Sequence, residues 1–589
     1  MKKALLFFWL LIAASSASGQ TITWDGSASN LWNNPANWDL NTLPTSAHDV
    51  LIPTGSTVNL NVGATVNSIW IQGTTTFSIN GSLGFSNPST FDGGANINWV
   101  SGAISTGSTL ANYGIINLLS TNNKQVVGGG MINNFGTINV PDSGDLYLTD
   151  ATLNNQVSGI IDMQADAGNL SWSSGGAHIL NNLGLIKRTS SAGTATIECQ
   201  LNNSGTISVE SGTLQFTTYT MMLDSGIYNV AAGTTLHWSG PQSLSGMLTG
   251  VVDGQILWTG TVSVATTQNA DLNFSGSGTV NWSNGSLAGG GSLSNYSPIQ
   301  VSTTTNKTII GATTLNNHDV ISIVDSGDIY ITDGVINNHV AGTINLTAAA
   351  GNLSWSSGGT HTLNNYGIIR KLGDTGLNAI DCQMNNFGTI EVLAGNLGLT
   401  YGGINLNGGV YNISANSFLS ISALTNMTGQ LSGTIAGEIL WTSTVNVPSS
   451  EVATFAFTGV GSGNVNWQNG VLSGGGVLVN NFTMRLSSTA NKQIIGLTTL
   501  QNLALIYIQT SGDLYITDGI VNNMLTGIID MRADAGDLSW SSGGSHLLNN
   551  YGLIKRTTTS GVATIECELH NFGTLSVQNG TMQLQGLPK

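Results

Sequence analysis

Charge is what this sequence has least of. Only 7% of its 589 residues are Asp, Glu, Lys or Arg. Helices that face water need Lys, Glu and Ala on that side, so a body of amphipathic helices is excluded. Basic residues are scarcest, 14 against 30 acidic ones, which leaves a net charge of −16. That balance argues against nucleic acid or an anionic membrane surface as a partner and leaves cations and neutral sugars. Cysteine occurs three times, too few for a disulfide scaffold. After the first twenty residues no apolar run approaches the length of a bilayer span, so no transmembrane segment is expected. There is no P-loop, no nucleotide fingerprint and no Cys/His spacing suited to zinc.

What the chain has is Gly, at 77 positions, with abundant Asn, Ser and Thr and 40% apolar residues in alternation. The alternation speaks against disorder and for many short strands joined by tight turns. It also has repetition. Lys124, Lys307 and Lys492 are separated by 183 and 185 residues, as are Trp172, Trp355 and Trp540, and Cys199, Cys382 and Cys567. Around them SGDLYLTD (143–150), SWSSGG (171–176) and LNNLGLIKR (180–188) return nearly intact. A shorter rhythm runs inside each unit. Gly114, Gly136, Gly159, Gly184, Gly205 and Gly226 lie 21 to 25 residues apart, most preceded by Asn and each followed by an alternating strand. Asn and Gly tolerate left-handed backbone, so this pattern predicts a corner and a strand per coil of a parallel β-helix, with Asn ladders along the corners.

The resulting organisation is a signal peptide at 1–19 (Lys2 and Lys3, then an apolar run, then small residues) and a Trp/Pro-rich cap at 20–61. First coils occupy 62–90, then come long units at 91–273 and 274–457 and a third, incomplete one at 458–589. In the cap, Trp24, Trp32 and Trp38 stand among Pro35, Pro44 and Pro53 in the pattern W-x-G…W…N-W…L-P…D-V-x-I-P. This pattern resembles the leading segment of exported Gram-negative adhesin-like and autotransporter-type passengers that continue as right-handed β-helices. The resemblance implies an all-β, right-handed parallel β-helix (β-solenoid) with an N-terminal cap, secreted or held at the outer cell surface. It names no ligand, and it leaves two readings. One is a structural or adhesin-like protein making multivalent weak contacts with an extracellular glycan or a host or cell-surface protein. The other is a protein that binds or degrades extracellular polysaccharide. Polygalacturonase-like hydrolases of this fold carry adjacent aspartates and a Gly-His-Gly, and neither occurs here.

Candidate ligand-binding residues come from strand parity. In SGDLYLTD the leucines take the inner face, so Asp145, Tyr147 and Thr149 point out, with Asp328, Tyr330, Thr332 and Asp513, Tyr515, Thr517 as counterparts. A carboxylate, an aromatic face and a hydroxyl in one row could hold a sugar ring. With Asp150, Asp333 and Asp518 at the strand end the row could instead hold Ca²⁺, or it could be a solvated strand preserved by duplication. No other cofactor, no metal ligand set and no catalytic residue is expected. SWSSGG with His178, His361 and His546 offers Ser near His, but the acid that would orient the base, Asp166 or Asp534, is Ala349 in the second copy. The remaining features read as structural. Trp99, Trp282, Trp467, Trp172, Trp355, Trp540, Trp258 and Trp441 share parity with apolar neighbours and are expected inside. The cysteines are expected to be buried and unpaired. Lys124, Lys307, Lys492 and the pairs Lys187-Arg188, Arg370-Lys371 and Lys555-Arg556, with Glu198, Asp381 and Glu566, are expected on the solenoid wall as inter-coil ion pairs or register markers.

Overall fold

The computed structural model describes residues 19–585 apart from 174, 357, 374 and 542. The signal peptide, but for Gly19, therefore lies outside the described residues. The chain divides into two compact units, Met1–Tyr219 and Thr220–Lys589. Each is a parallel β-solenoid, and about 24 turns are present in all. The described residues form 72 strands and no α-helix, and among them no helix is long and apolar enough to cross a membrane.

Three short strands make a coil, and each strand pairs in parallel with its counterpart one coil on. In the first unit, Thr109–Asn112, Met131–Asn134, Ala151–Asn155, His178–Asn182 and Gln200–Asn203 stack in register. Leu110, Ile132, Leu153, Leu180 and Leu201 thereby form one inner column, none more than 2% exposed. The second unit repeats this with Leu293, Leu315, Ile336, Leu363 and Met384. Parity explains the arrangement: successive residues of a strand face opposite ways, and burying each aliphatic side chain contributes about 1.5–3 kcal/mol.

The Asn residues at the strand ends also point inward. Asn112, Asn134, Asn155 and Asn182 each donate from Nδ2 to Oδ1 of the Asn one coil later, at 2.6 to 2.8 Å. Asn317, Asn338 and Asn365 do the same at 2.7 to 2.8 Å. Each amide satisfies the next, which makes a line of fully buried polar side chains tolerable. The first line begins where Phe91 occupies the preceding coil, and there Asn112 Oδ1 has no partner.

The corner glycines differ in mechanism from the expectation. Gly114, Gly136, Gly159, Gly184 and Gly205 do not have left-handed φ; of the series only Gly226 does, at 92°. A Cβ on Gly136 would lie 2.1 Å from the Gly114 carbonyl oxygen, and one on Gly205 would lie 2.4 Å from that of Gly184. Close approach of successive coils, rather than backbone conformation, requires glycine here.

The second unit reveals how its two copies of the long repeat are related. Starting from Leu353–Ser354, eight successive pairings lead to Ile528–Met531. The strand equivalent to Leu353–Ser354 in sequence is Leu538–Ser539, the next one along the chain, on the neighbouring side of the coil. Leu538 instead stacks on Leu514, in the column that in the preceding copy holds the Asn line, reached through Ile404–Ile413 and Thr425–Ile435. Within this unit one long repeat thus holds eight coils and one side, so its features move to the adjacent face from one copy to the next.

At the start of the first unit Gln20–Thr23 pairs in parallel with His48–Ile52, which pairs in turn with Ser68–Ile71. Trp24 and Trp32 meet Trp38 edge-on at 5.1 and 4.7 Å, and the Trp38 Nε1–H donates to the Trp32 carbonyl at 3.0 Å.

Candidate functional site

The Asp-Tyr-Thr rows lie where parity puts them. Leu146–Thr149, Ile329–Ile331 and Leu514–Ile516 are strands whose aliphatic residues are buried and whose tyrosines are half-buried on the outer face. Tyr147 sits between Gln125 and Ser171 of the adjoining coils, and Tyr515 between Gln493 and Ser539. The rows belong to a wider field of hydroxyls. Thr149, Thr332 and Thr517 are hydrogen-bonded to Ser173, Ser356 and Ser541 at 2.6, 2.6 and 2.8 Å. Ser171 and Ser539 donate to Glu198 and Glu566 at 2.6 Å, and Thr400 donates to Asp381 at 3.1 Å. Asp145, Asp328 and Asp513 each accept from the backbone N–H of the next coil, at 3.0, 2.8 and 3.0 Å.

Burial raises the Asp145 carboxyl above its ordinary pKa; the Asn169 N–H opposes that and the Glu198 charge reinforces it. Burial does the same to Asp328. The tyrosine hydroxyls of all three rows are raised too, first by burial and then by the carboxylate beside them. The rows are therefore acidic, rich in hydroxyls and poor in cations. Asp150 and Asp518, at the row ends, turn the chain with φ of 52° and 56°, and Asp150 Oδ1 accepts from the Ala177 N–H at 3.3 Å. Among the described residues no group of three or more His, Cys, Asp or Glu is placed to hold a metal ion.

Beside each row the structure corrects the placement of one tryptophan column. Trp99, Trp258, Trp282, Trp441 and Trp467 are at most 1% exposed, as expected. Trp172 and Trp540 are only partly covered, and Trp355 is 36% exposed. Parity fails because in-register pairing gives out: of Leu170–Trp172 only Leu170 is paired with the next coil, the strands before Trp355 and Trp540 end one residue earlier, and the chain leaves through paired glycines of positive φ. Each of these indoles lies against the histidine that comes after the turn, at 5.2, 4.8 and 4.7 Å between ring centroids. A tyrosine two coils on closes the group in two copies. Tyr219 meets Trp172 edge-on at 5.2 Å and Tyr401 meets Trp355 at 5.6 Å. His361 Nδ1–H donates to the Gly359 carbonyl at 3.1 Å, so Nε2 accepts from the Tyr401 hydroxyl at 2.8 Å. His178 Nδ1–H donates to Leu148 O at 3.2 Å. Nothing near Trp172 in sequence marks Tyr219; the one signal is Tyr401, which returns 182 rather than 183 residues later.

The Ser–His–Asp reading fails on geometry. Asp166 is held by the Arg188 guanidinium and Ser191, and Asp534 by Arg556 and Thr559. The recurring acid therefore serves arginine, and in the second copy both partners change together, to Ala349 and Lys371.

The basic residues are the larger correction. Lys124, Lys307 and Lys492 are fully buried. Lys307 Nζ donates to the Thr303 and Thr305 carbonyls at 3.1 and 2.6 Å, and Lys492 Nζ to Ser488 and Ala490 at 3.0 and 2.6 Å. Burial pulls both ammonium groups down to about 8. One member of each basic pair makes the expected inter-coil ion pair from the outer face: Lys187 with Asp162 at 3.3 Å, Arg370 with Glu391 at 2.6 Å, and Lys555 with Asp530 at 3.8 Å. Arg188 and Arg556 also form inter-coil ion pairs, with Asp166 and Asp534, but from buried guanidinium groups. Arg188, Lys371 and Arg556 point inward and are fully buried, because strand parity sends neighbouring residues to opposite faces. Glu198 and Glu566 take serine rather than a cation as partner. The three cysteines are free and buried, and burial pushes Cys199 and Cys567 up to about 12, which leaves inert thiols.

Comparison with known proteins adds no assignment: no protein-family model matches the chain, and no curated protein matches it.

Proposed function

We propose that this chain is an exported, cell-surface or secreted structural protein of adhesin type, which makes many weak contacts through outward rows repeated along its solenoid. In this reading the coils are right-handed, as in the passengers its first forty mature residues resemble, and the segment 20–61 is a cap. Its Trp24–Trp32–Trp38 cluster covers the first strand edge and opposes end-to-end association. The observation that carries the reading is the recurrence of one outward constellation, Asp145-Tyr147-Thr149, Asp328-Tyr330-Thr332 and Asp513-Tyr515-Thr517, with the same hydroxyl partners each time. Repetition of weak sites raises avidity without a strong site. The partner is an extracellular glycan or a cell-surface protein.

The test is retention of the labelled full chain on cultured cells, mucin-coated plates and immobilised polysaccharide. Tyr147→Ala, Tyr330→Ala and Tyr515→Ala are each expected to lower retention about two- to tenfold, and the triple variant by on the order of a hundredfold or more. A triple variant retained as well as the parent chain on every surface would remove the rows from the account.

A further inference from the structure

The tryptophan column that parity misplaces has the makings of a site in its own right. Elsewhere in the second unit the interior shows what a structural tryptophan looks like: Trp258 on Trp282 and Trp441 on Trp467 stack at 4.3 and 4.2 Å with both faces covered. Trp355 differs. One side leans on His361, the edge meets Tyr401, and 36% of the residue remains open to solvent. The groups around it are hydrogen-bonding and held in fixed roles. The Gly359 carbonyl fixes the His361 proton on Nδ1, and Tyr401 donates to Nε2, so the Tyr401 oxygen keeps its lone pairs for an incoming hydroxyl. Thr332 and Ser356 add a hydroxyl pair beside the ring. Asp328, which precedes the adjoining strand and accepts from the Asn352 N–H, and Asp381 one coil on make the surroundings acidic. An aromatic face bordered by a few convergent polar groups suits a ring with an apolar face and hydroxyl edges. The neighbouring carboxylates and a net charge of −16 repel anionic polymers.

We propose that Trp355–His361–Tyr401, Trp172–His178–Tyr219 and Trp540–His546 are binding sites for single sugar rings of a neutral polysaccharide, and that the chain bridges separate polysaccharide strands. The proposal names the partner class of the adhesive function and rests on it. Bridging comes from the one-side offset of the long repeat. Trp355 and Trp540 lie eight coils apart, about 40 Å, and on neighbouring faces. A straight polymer that occupies one face does not reach the other. Two sites that look in different directions join two polymers.

The experiment uses the full chain in affinity electrophoresis through gels containing xylan, mixed-linkage β-glucan or galactomannan, with polygalacturonate as the anionic control. Turbidity of chain and polysaccharide mixtures is measured alongside. The parent chain should be retarded by at least one neutral polymer, not by polygalacturonate, and should form turbid mixtures at intermediate ratios. Trp172→Ala/Trp355→Ala/Trp540→Ala should lose retardation, whereas the same three positions changed to Tyr should keep most of it at an unchanged melting temperature. Chains that retain one of the three tryptophans should still be retarded yet give clear mixtures. Retardation that survives the triple Ala change, or none with any neutral polymer, overturns the glycan site. Turbidity from single-tryptophan chains overturns bridging. If polysaccharide binding fails while retention on cells persists, the glycan site is wrong and the adhesive reading stands; loss of both removes both.

Discussion

Two sets of tryptophans start from the same local pattern and end in opposite environments. Ile256 precedes Trp258 by two residues and Leu170 precedes Trp172 by two, and both aliphatic residues are buried. Trp258 lies inside, stacked on its neighbour one coil on; Trp172 lies at an edge, against a histidine and a tyrosine. The difference is set by how each strand continues. Gln255–Trp258 is a full strand whose register aligns it with Thr279–Trp282. Leu170–Trp172 is cut short by a Ser and Gly turn. Both tryptophans end their strands, but Trp258 is paired in register with Trp282 on the next coil, whereas of Leu170–Trp172 only Leu170 is paired there, so no neighbour above holds Trp172 inside.

The largest effect that would sharpen this contrast is a cavity. Trp441→Ala or Trp467→Ala removes one member of an enclosed stack and should cost about 3–5 kcal/mol, read as an earlier urea midpoint. Trp355→Ala should cost about 1 kcal/mol or less, since much of that ring already faces water. Equal losses at the two positions would erase the distinction.

Next come the buried cations. Lys307→Met leaves carbonyls without a donor and should destabilise by about 2–3 kcal/mol at neutral pH. A pH signature accompanies it. Folding lowers Lys307 and Lys492 to about 8 from an ordinary 10.5, so between those values the unfolded chain binds more protons. Stability must therefore rise with pH across that window, and Lys307→Met/Lys492→Met should flatten the rise. A wall-exposed lysine would give neither effect.

The Asn line ranks third. Asn338→Ala strips a partner from both Asn317 and Asn365 and should cost about 1–3 kcal/mol; hydrogen exchange should show faster opening near those coils than elsewhere. The smallest effect is at the rows. Asp145 and Asp328 have raised pKa values, so their ionised forms work against folding above the ordinary carboxylate pKa. Asp145→Asn/Asp328→Asn should stabilise at pH 7 by well under about 1 kcal/mol per site, with the gain absent below about pH 4. A loss at pH 7 would contradict the assigned direction.

The fold was legible in the sequence because periodic burial writes itself into alternation, and a coil of twenty-odd residues writes itself into recurring Asn-Gly. The outward rows were legible for the same reason, since each tyrosine lies within a strand between two buried aliphatic residues. Three features were not. The inward turn of Lys124 and Arg188 was hidden because a cation normally signals the surface, and carbonyls that cage it leave no mark on composition. Tyr219 and Tyr401 were hidden because they reach Trp172 and Trp355 from two coils away. The one-side offset was hidden in strands such as Thr425–Ile435 that serve two columns without a turn between them.

Oxidation of the folded chain by N-bromosuccinimide, with modified tryptophans located by mass spectrometry, tests the inside-outside division most directly. Trp355, Trp172 and Trp540 should be modified early, with Trp70, which is 47% exposed, as an internal reference. Trp258, Trp282, Trp441 and Trp467 should stay intact until the chain unfolds. Modification of Trp441 or Trp467 at the pace of Trp355 would contradict the account.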